Sequence, residues 1–124
     1  MTAIVGIRAD LLETLLRVGE SQHPDEFLAL LRAEKGIIEE FEFVPGTIAG
    51  RTSAAFSPEM RPLGIQTAGS AHSHPNGVLF PSQADIRFFS SMGSVHLILG
   101  PPYAGDSWRA FTWDGKPREL EVVA

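Results

Sequence analysis

The stretch from Gly64 to Gly93 limits what this chain can fold into more than any other, because it reads as strand, turn and helix in immediate succession. Gly64 to His72 is a short strand candidate, and Pro75 with Asn76-Gly77 then redirects the chain. Ser82 is the expected N-cap of a helix from Gln83 to Met92, with Gly93 just past its end. On extended chain, residues two apart share a face with Cα atoms ~6.6 Å apart, so His72 and His74 converge above one side of a sheet. On the helix, at about 100° per residue, Asp85 shares a stripe with Phe88, Phe89 and Met92. That stripe is the one that should be buried.

Elsewhere, Ile7, Leu11, Leu12, Leu15 and Leu16 recur at helical spacing, predicting a first amphipathic helix that ends near Gly19 or Ser21. The segment after it has two readings. Pro24, Asp25 and Glu26 make a good first helical turn, which Gly36 would terminate. Alternatively Phe27 to Leu31 is a buried strand that turns at Glu34-Lys35-Gly36 and returns as Ile37 to Val44. Further strands are expected at Thr52 to Phe56, Val95 to Leu99, Ser107 to Trp113 and Arg118 to Val123, the last two joined through Asp114-Gly115. Two helices with about six or seven strands predict a mixed α/β sheet fold. No repeat or linker divides the chain, and 124 residues suit a single compact domain over 1–124.

Several function classes drop out early. A net charge of −5, with scattered basic residues, argues against nucleic acid or an anionic membrane as partner. No apolar run approaches the ~20 residues needed to span a bilayer. Met1 to Arg8 lacks both the basic leader and the apolar length of a signal peptide, so a soluble cytoplasmic protein is expected. The absence of cysteine removes disulfides, thiolate zinc sites and a cysteine nucleophile together.

The chemistry concentrates in His72, His74 and Asp85. A carboxylate on the core-facing stripe of a helix needs a partner, because an unpaired buried charge costs several kcal/mol. Ser82-x-x-Asp85 also matches a capping box, and Ser82 can cap while its hydroxyl faces a site. Two imidazoles and a carboxylate are the three protein ligands typical of a catalytic zinc, which acidifies its fourth-position water to a pKa of about 7. Ser73 points to the opposite strand face and is assigned packing or hydrogen bonding. His96 reads as structural, and His23 as a helix-end or surface residue. Trp108, Phe111 and Trp113 fit alternating strand packing, and Glu39, Glu40 and Glu42 a solvated face.

His72-Ser73-His74-Pro75, then Pro81-Ser82-x-x-Asp85 at the same spacing, resembles the signature of the JAMM (MPN+) metalloprotease family. The resemblance covers nearly the whole chain. It implies a curved mixed sheet flanked by helices, of the cytidine-deaminase-like kind, holding one Zn2+ on His72, His74 and Asp85. The family's upstream acidic residue falls on Glu26, with Asp25 as nearest rival, and the family pattern makes Glu26 the start of a strand. By resemblance Glu26 is general base and then acid, and Ser82 stabilises the oxyanion. Relatives cleave the isopeptide or peptide bond after the tail of a ubiquitin-like modifier or sulfur-carrier protein. Such a tail can add along an exposed strand edge. The chain lacks the insertions that eukaryotic relatives use to choose linkage, so modest linkage discrimination is expected. The rivals are a non-catalytic scaffold and a small-molecule metal amidohydrolase. A zinc deaminase would require cysteines that are missing here. Monomer and homodimer both stay open.

Overall fold

A computed structural model describes residues 3–43 and 67–124. The strand expected at Thr52 to Phe56 lies outside them. The elements in chain order are β1 (Gly6–Arg8), α1 (Ala9–Gln22), β2 (Leu28–Glu34), β3 (Ile37–Phe43), β4 (Gly69–Ser73), α2 (Gln83–Phe89), β5 (Val95–Leu99), β6 (Trp108–Phe111), β7 (Pro117–Arg118) and β8 (Glu121–Val123). The described strands form one mixed sheet in the order β7-β6-β5-β4-β2-β3-β1-β8.

The two outermost strands are neighbours in sequence. Only Glu119 and Leu120 separate β7, paired with β6, from β8, paired with β1. Three Cα steps of 3.8 Å allow the edges at most about 11 Å of separation there. The sheet therefore curls on itself, as a flat sheet of this width could not be bridged. This also explains why Arg118 to Val123, expected as one strand, splits into two.

The ambiguous segment after α1 resolves as a strand. The β2–β3 hairpin turns on Lys35 and Gly36, whose φ values of 53° and 83° are those of a type I′ turn. Glu26 lies just before β2 rather than within it. Ile7, expected on the first helix, belongs to β1, where it pairs with Ile38 and Val122. Its spacing from Leu11 satisfied a helical period by coincidence, since its side chain fills the same core from the adjoining strand. Helix α2 ends at Phe89, and Ser90 to Met92 continue as tighter turns, Ser91 N–H to Phe88 O and Met92 N–H to Phe89 O.

The sheet buries a different core on each side. On one, Leu12, Leu15 and Leu16 of α1 meet Ala29, Leu31, Ala71, Leu97 and Leu99. On the other, Phe88, Phe89 and Met92 pack on Leu28, Leu30, Ile98 and Phe111. Period-two alternation assigns the even residues of β2, β4 and β5 to the α2 side. Gly69 opens β4 against β5 so closely that a Cβ there would sit 1.5 Å from the Val95 carbonyl oxygen. Two expectations about side chains change. Trp113 lies past the end of β6 in a turn and is exposed, while Trp108 and Phe111 do pack. Glu42 is half-buried, with Oε1 unpaired among the described residues, unlike exposed Glu39 and Glu40.

Candidate metal centre

Strand β4 and helix α2 bring His72, His74 and Asp85 together. One potential ligand atom from each lies within 4.8 Å of the others. His72 Nε2 is 3.0 Å from His74 Nε2, His74 Nε2 is 3.1 Å from Asp85 Oδ2, and His72 Nε2 is 3.4 Å from Asp85 Oδ1. Ligands about 2.0–2.1 Å from a tetrahedral zinc sit roughly 3.3–3.4 Å from one another, so two imidazole nitrogens and a carboxylate that turns one oxygen to each of them are spaced to share a single ion.

The protons support the same conclusion. His74 Nδ1–H donates to the Val78 carbonyl at 2.7 Å, which leaves the lone pair of its Nε2 aimed at His72 and Asp85. Three electron-rich atoms converging on one point need a cation, either a proton or a metal. The titration tendencies reflect that competition. Burial lowers the His72 pKa, with Asp85 opposing. At His74 burial also lowers it, but bonds to Asp85 and Val78 and the charges of Asp85 and Glu26 outweigh this and raise the pKa. His72 Nδ1 is buried without a partner among the described residues.

Asp85 caps the helix from a position that also suits it to the ligand set. Ser82 Oγ accepts the Asp85 N–H at 3.1 Å while Asp85 Oδ2 accepts the Ser82 N–H at 2.9 Å, a reciprocal capping box. The cap fixes the carboxylate, and the carboxylate faces the imidazoles. An open cavity of about 430 Å³ lies in front, lined by Pro24, Glu26, His74, Pro75, Asn76, Ser82 and Asp85. Burial raises the Glu26 pKa; His74 opposes this and Asp85 reinforces it.

The remaining sequence candidates separate cleanly. His96 is structural: Nδ1 accepts from the Ser70 hydroxyl at 2.7 Å, Nε2–H donates to Gly93 O at 3.0 Å, and the ring stacks on Phe89. Burial lowers its pKa to about 4. His23 caps the end of α1 through its backbone and meets the Tyr103 hydroxyl at 3.1 Å. Ser73 hydrogen-bonds, as expected, through its hydroxyl to the Phe27 N–H. Sequence reasoning did not find the Val78 carbonyl. Asn76-Gly77 was the available signal, since the turn it makes, with Gly77 N–H to His74 O and Val78 N–H to Asn76 Oδ1, aims that carbonyl at His74. Asn76, Gly77 and Val78 are thus bonded to the site.

A curled mixed sheet carrying two histidines and an aspartate in this geometry defines the class of metalloprotease-like zinc sites, with one Zn2+ fitting the three side chains. The chain belongs to the prokaryotic homologs of the JAB domain, whose family model matches residues 8–114. It is 39% identical over 130 residues to a probable metalloprotease of Haloferax volcanii, spanning 97% of this chain and 80% of that protein. Among solved structures, a JAB1/MPN domain protein from Archaeoglobus fulgidus superposes with a TM-score of 0.78 at 35% identity, over 97% of this chain and all of the other (100%). A structure described as a JAMM metalloprotease-like zinc site in the proteasome and signalosome gives a TM-score of 0.80 at 33% identity, over 98% of this chain and 100% of that one. No helix among the described residues is long and apolar enough to cross a membrane.

Proposed function

We propose that this protein hydrolyses the peptide or isopeptide bond that follows the C-terminal tail of a ubiquitin-like modifier or sulfur-carrier protein. The observation that carries this reading is that a half-buried carboxyl, Glu26, opens onto the same cavity as His74 and Asp85, two of the three residues of the ligand set. Zinc, when bound there, supplies a Lewis acid that activates water and polarises the scissile carbonyl. Glu26 accepts the water proton and returns it to the departing amine. A carboxyl whose pKa is raised by burial suits both halves of that task, because it holds a proton more readily than an exposed one. Ser82 Oγ already accepts the Asp85 N–H, so its own hydroxyl proton is available to donate to the developing oxyanion.

The cavity lining suits an unbranched tail, for Pro24, Pro75 and Asn76 form part of it and a terminal diglycine brings no side chains against them. Around the site β2 and β4 are each paired on both sides, so among the described residues the free strand edges are β7, β8 and the stretches of β3 and β6 that their short neighbours leave uncovered, Glu39 to Phe43 and Trp108 to Arg109. The test is to offer purified, zinc-supplemented protein a ubiquitin-like conjugate, with and without a chelator. Release of free modifier that the chelator abolishes is expected. Cleavage of small amides with every conjugate left intact would replace this reading with a small-molecule amidohydrolase. A panel of conjugates differing only in linkage is expected to be cleaved at similar rates.

A further inference from the structure

We propose that Ser73 is a positioning residue for Glu26, fixing the general base to the strand that carries both histidine ligands. The inference rests on the roles proposed for Glu26 and the ligand set. Ser73 is fully buried between His72 and His74, yet points to the α1 side, away from the metal centre. The antiparallel pairing of β2 with β4 runs from Leu31↔Gly69 to Leu28↔His72. One step further, the ladder changes character. The Ser73 N–H still reaches the Phe27 carbonyl at 3.3 Å, but the Phe27 N–H donates to Ser73 Oγ at 3.1 Å, a side chain standing in for the strand's carbonyl.

That exchange has a geometric consequence. Chain that stayed in the ladder would set residue 26 directly opposite His74 as ordinary strand, whereas Glu26 lies outside the strand and lines the cavity beside His74. The hydroxyl lets β2 part from β4 while the buried Phe27 N–H keeps a partner, as such a group must. β4 itself continues straight, with the His74 N–H bonded to Leu99 O. The departure therefore begins one residue from Glu26, and its anchor lies one residue from each histidine. The chain on the other side of Glu26 is held separately, by His23 against the Tyr103 hydroxyl. Of the two anchors, only Ser73 refers the base to the ligands directly.

Ser73→Ala removes the acceptor and little volume, and Ser73→Thr keeps the hydroxyl. Three readouts are needed: zinc affinity by chelator competition, exchange of the Phe27 amide hydrogen, and kcat and KM on a modifier conjugate. Ser73→Ala is expected to bind zinc with less than the ~10-fold loss that damage to a ligand's own support produces. It should expose the Phe27 amide to exchange and lower kcat by about 100-fold with KM nearly unchanged, the scale of a small misplacement at a reacting centre. Ser73→Thr should recover most of the loss. In a Glu26→Gln background Ser73→Ala should cost nothing further, because it acts through the residue already removed. Full additivity of the two changes, or a protected Phe27 amide in Ser73→Ala, overturns the inference while leaving the proposed function intact. A wild type that binds zinc but cleaves no conjugate sinks the proposed function instead, and amide exchange then decides alone whether Ser73 holds this segment.

Discussion

The two sides of the central sheet are built from the same strands and yet obey different rules. Toward α1, the side chains are almost all hydrocarbon, with Leu15, Leu31, Leu97 and Leu99 wholly excluded from water. Toward α2, the same strands insert Ser70, His72 and His96 among the apolar residues, and the helix adds Asp85; all four are buried. Each polar group there costs desolvation unless something satisfies it. His96 and Ser70 satisfy each other, whereas His72, His74 and Asp85 converge on a point that asks for a cation. One side supplies stability, and the other spends some of it on holding chemistry in place. Because side chains alternate along every strand, both functions fit on a single sheet.

The sharpest way to test that division is to strike the α2 side at its ligands. His72→Ala and Asp85→Ala are each expected to lose stoichiometric zinc and to drop activity to background, by at least the ~10⁴-fold that acid–base chemistry alone can contribute. Metal analysis after dialysis and single-turnover assays check this. Glu26→Gln should retain zinc and still lose about 10²–10⁴-fold in kcat, because it removes a proton carrier and leaves the three ligands untouched. Activity near wild type in Glu26→Gln would move the base elsewhere, with Asp25 the first residue to examine.

Striking the α1 side should give the opposite signature. Leu31→Ala is expected to destabilise the protein by about 2–5 kcal/mol through lost burial and a residual cavity. Zinc affinity in the fraction that remains folded should stay unchanged. Urea unfolding of the metal-free protein, paired with zinc titration under native conditions, separates the two quantities. A Leu31→Ala protein that unfolds normally but binds zinc poorly would erase the distinction between the sides.

How far the sequence revealed this arrangement depends on where the information sits. His72, His74, Ser82 and Asp85 lie within one strand–turn–helix, so local periodicity put both histidines on one face and the carboxylate on a buried stripe, while the place of Ser82 in the chemistry came from the family resemblance. The capping and ligand readings of Asp85 are compatible, since Oδ2 accepts the Ser82 N–H while the two oxygens face the imidazoles. Glu26 was harder, because Pro24-Asp25-Glu26 is good helix-start chemistry and it takes pairing with β3, and at Leu28 with distant β4 alone, to make the residues that follow a strand. Ile7 was misassigned for a similar reason, since its partners on β3 and β8 are remote in the chain. The curl of the sheet was legible only through family resemblance, as no local pattern announces that β7 and β8 close opposite edges. The Val78 carbonyl left only an indirect sign, the Asn76-Gly77 turn that aims it, because a backbone group has no residue identity of its own.

The smallest effect probes the α2 side where it holds no metal. His96 is buried and its pKa falls to about 4, against an ordinary value near 6.5. As pH drops through 6.5 the unfolded chain takes up a proton that native His96 refuses until about pH 4, so stability falls across that window. The full difference corresponds to roughly 3 kcal/mol, lost progressively and not recovered below it. The measurement is urea unfolding of metal-free protein between pH 7.5 and 4.5, because zinc, which needs neutral imidazoles, would add its own acid sensitivity. His72, also lowered by burial, contributes in the same direction. His96→Phe keeps a ring against Phe89 and should flatten the slope to what is left by His72 and, in the opposite sense, by His74 and Glu26, whose pKa values are raised, even though it strands the Ser70 hydroxyl and the Gly93 carbonyl. An unchanged slope in His96→Phe would mean that this buried imidazole is charged in the folded state. The α2 side would then tolerate buried charge without a metal, and the argument that its three convergent ligands demand a cation would lose its physical basis.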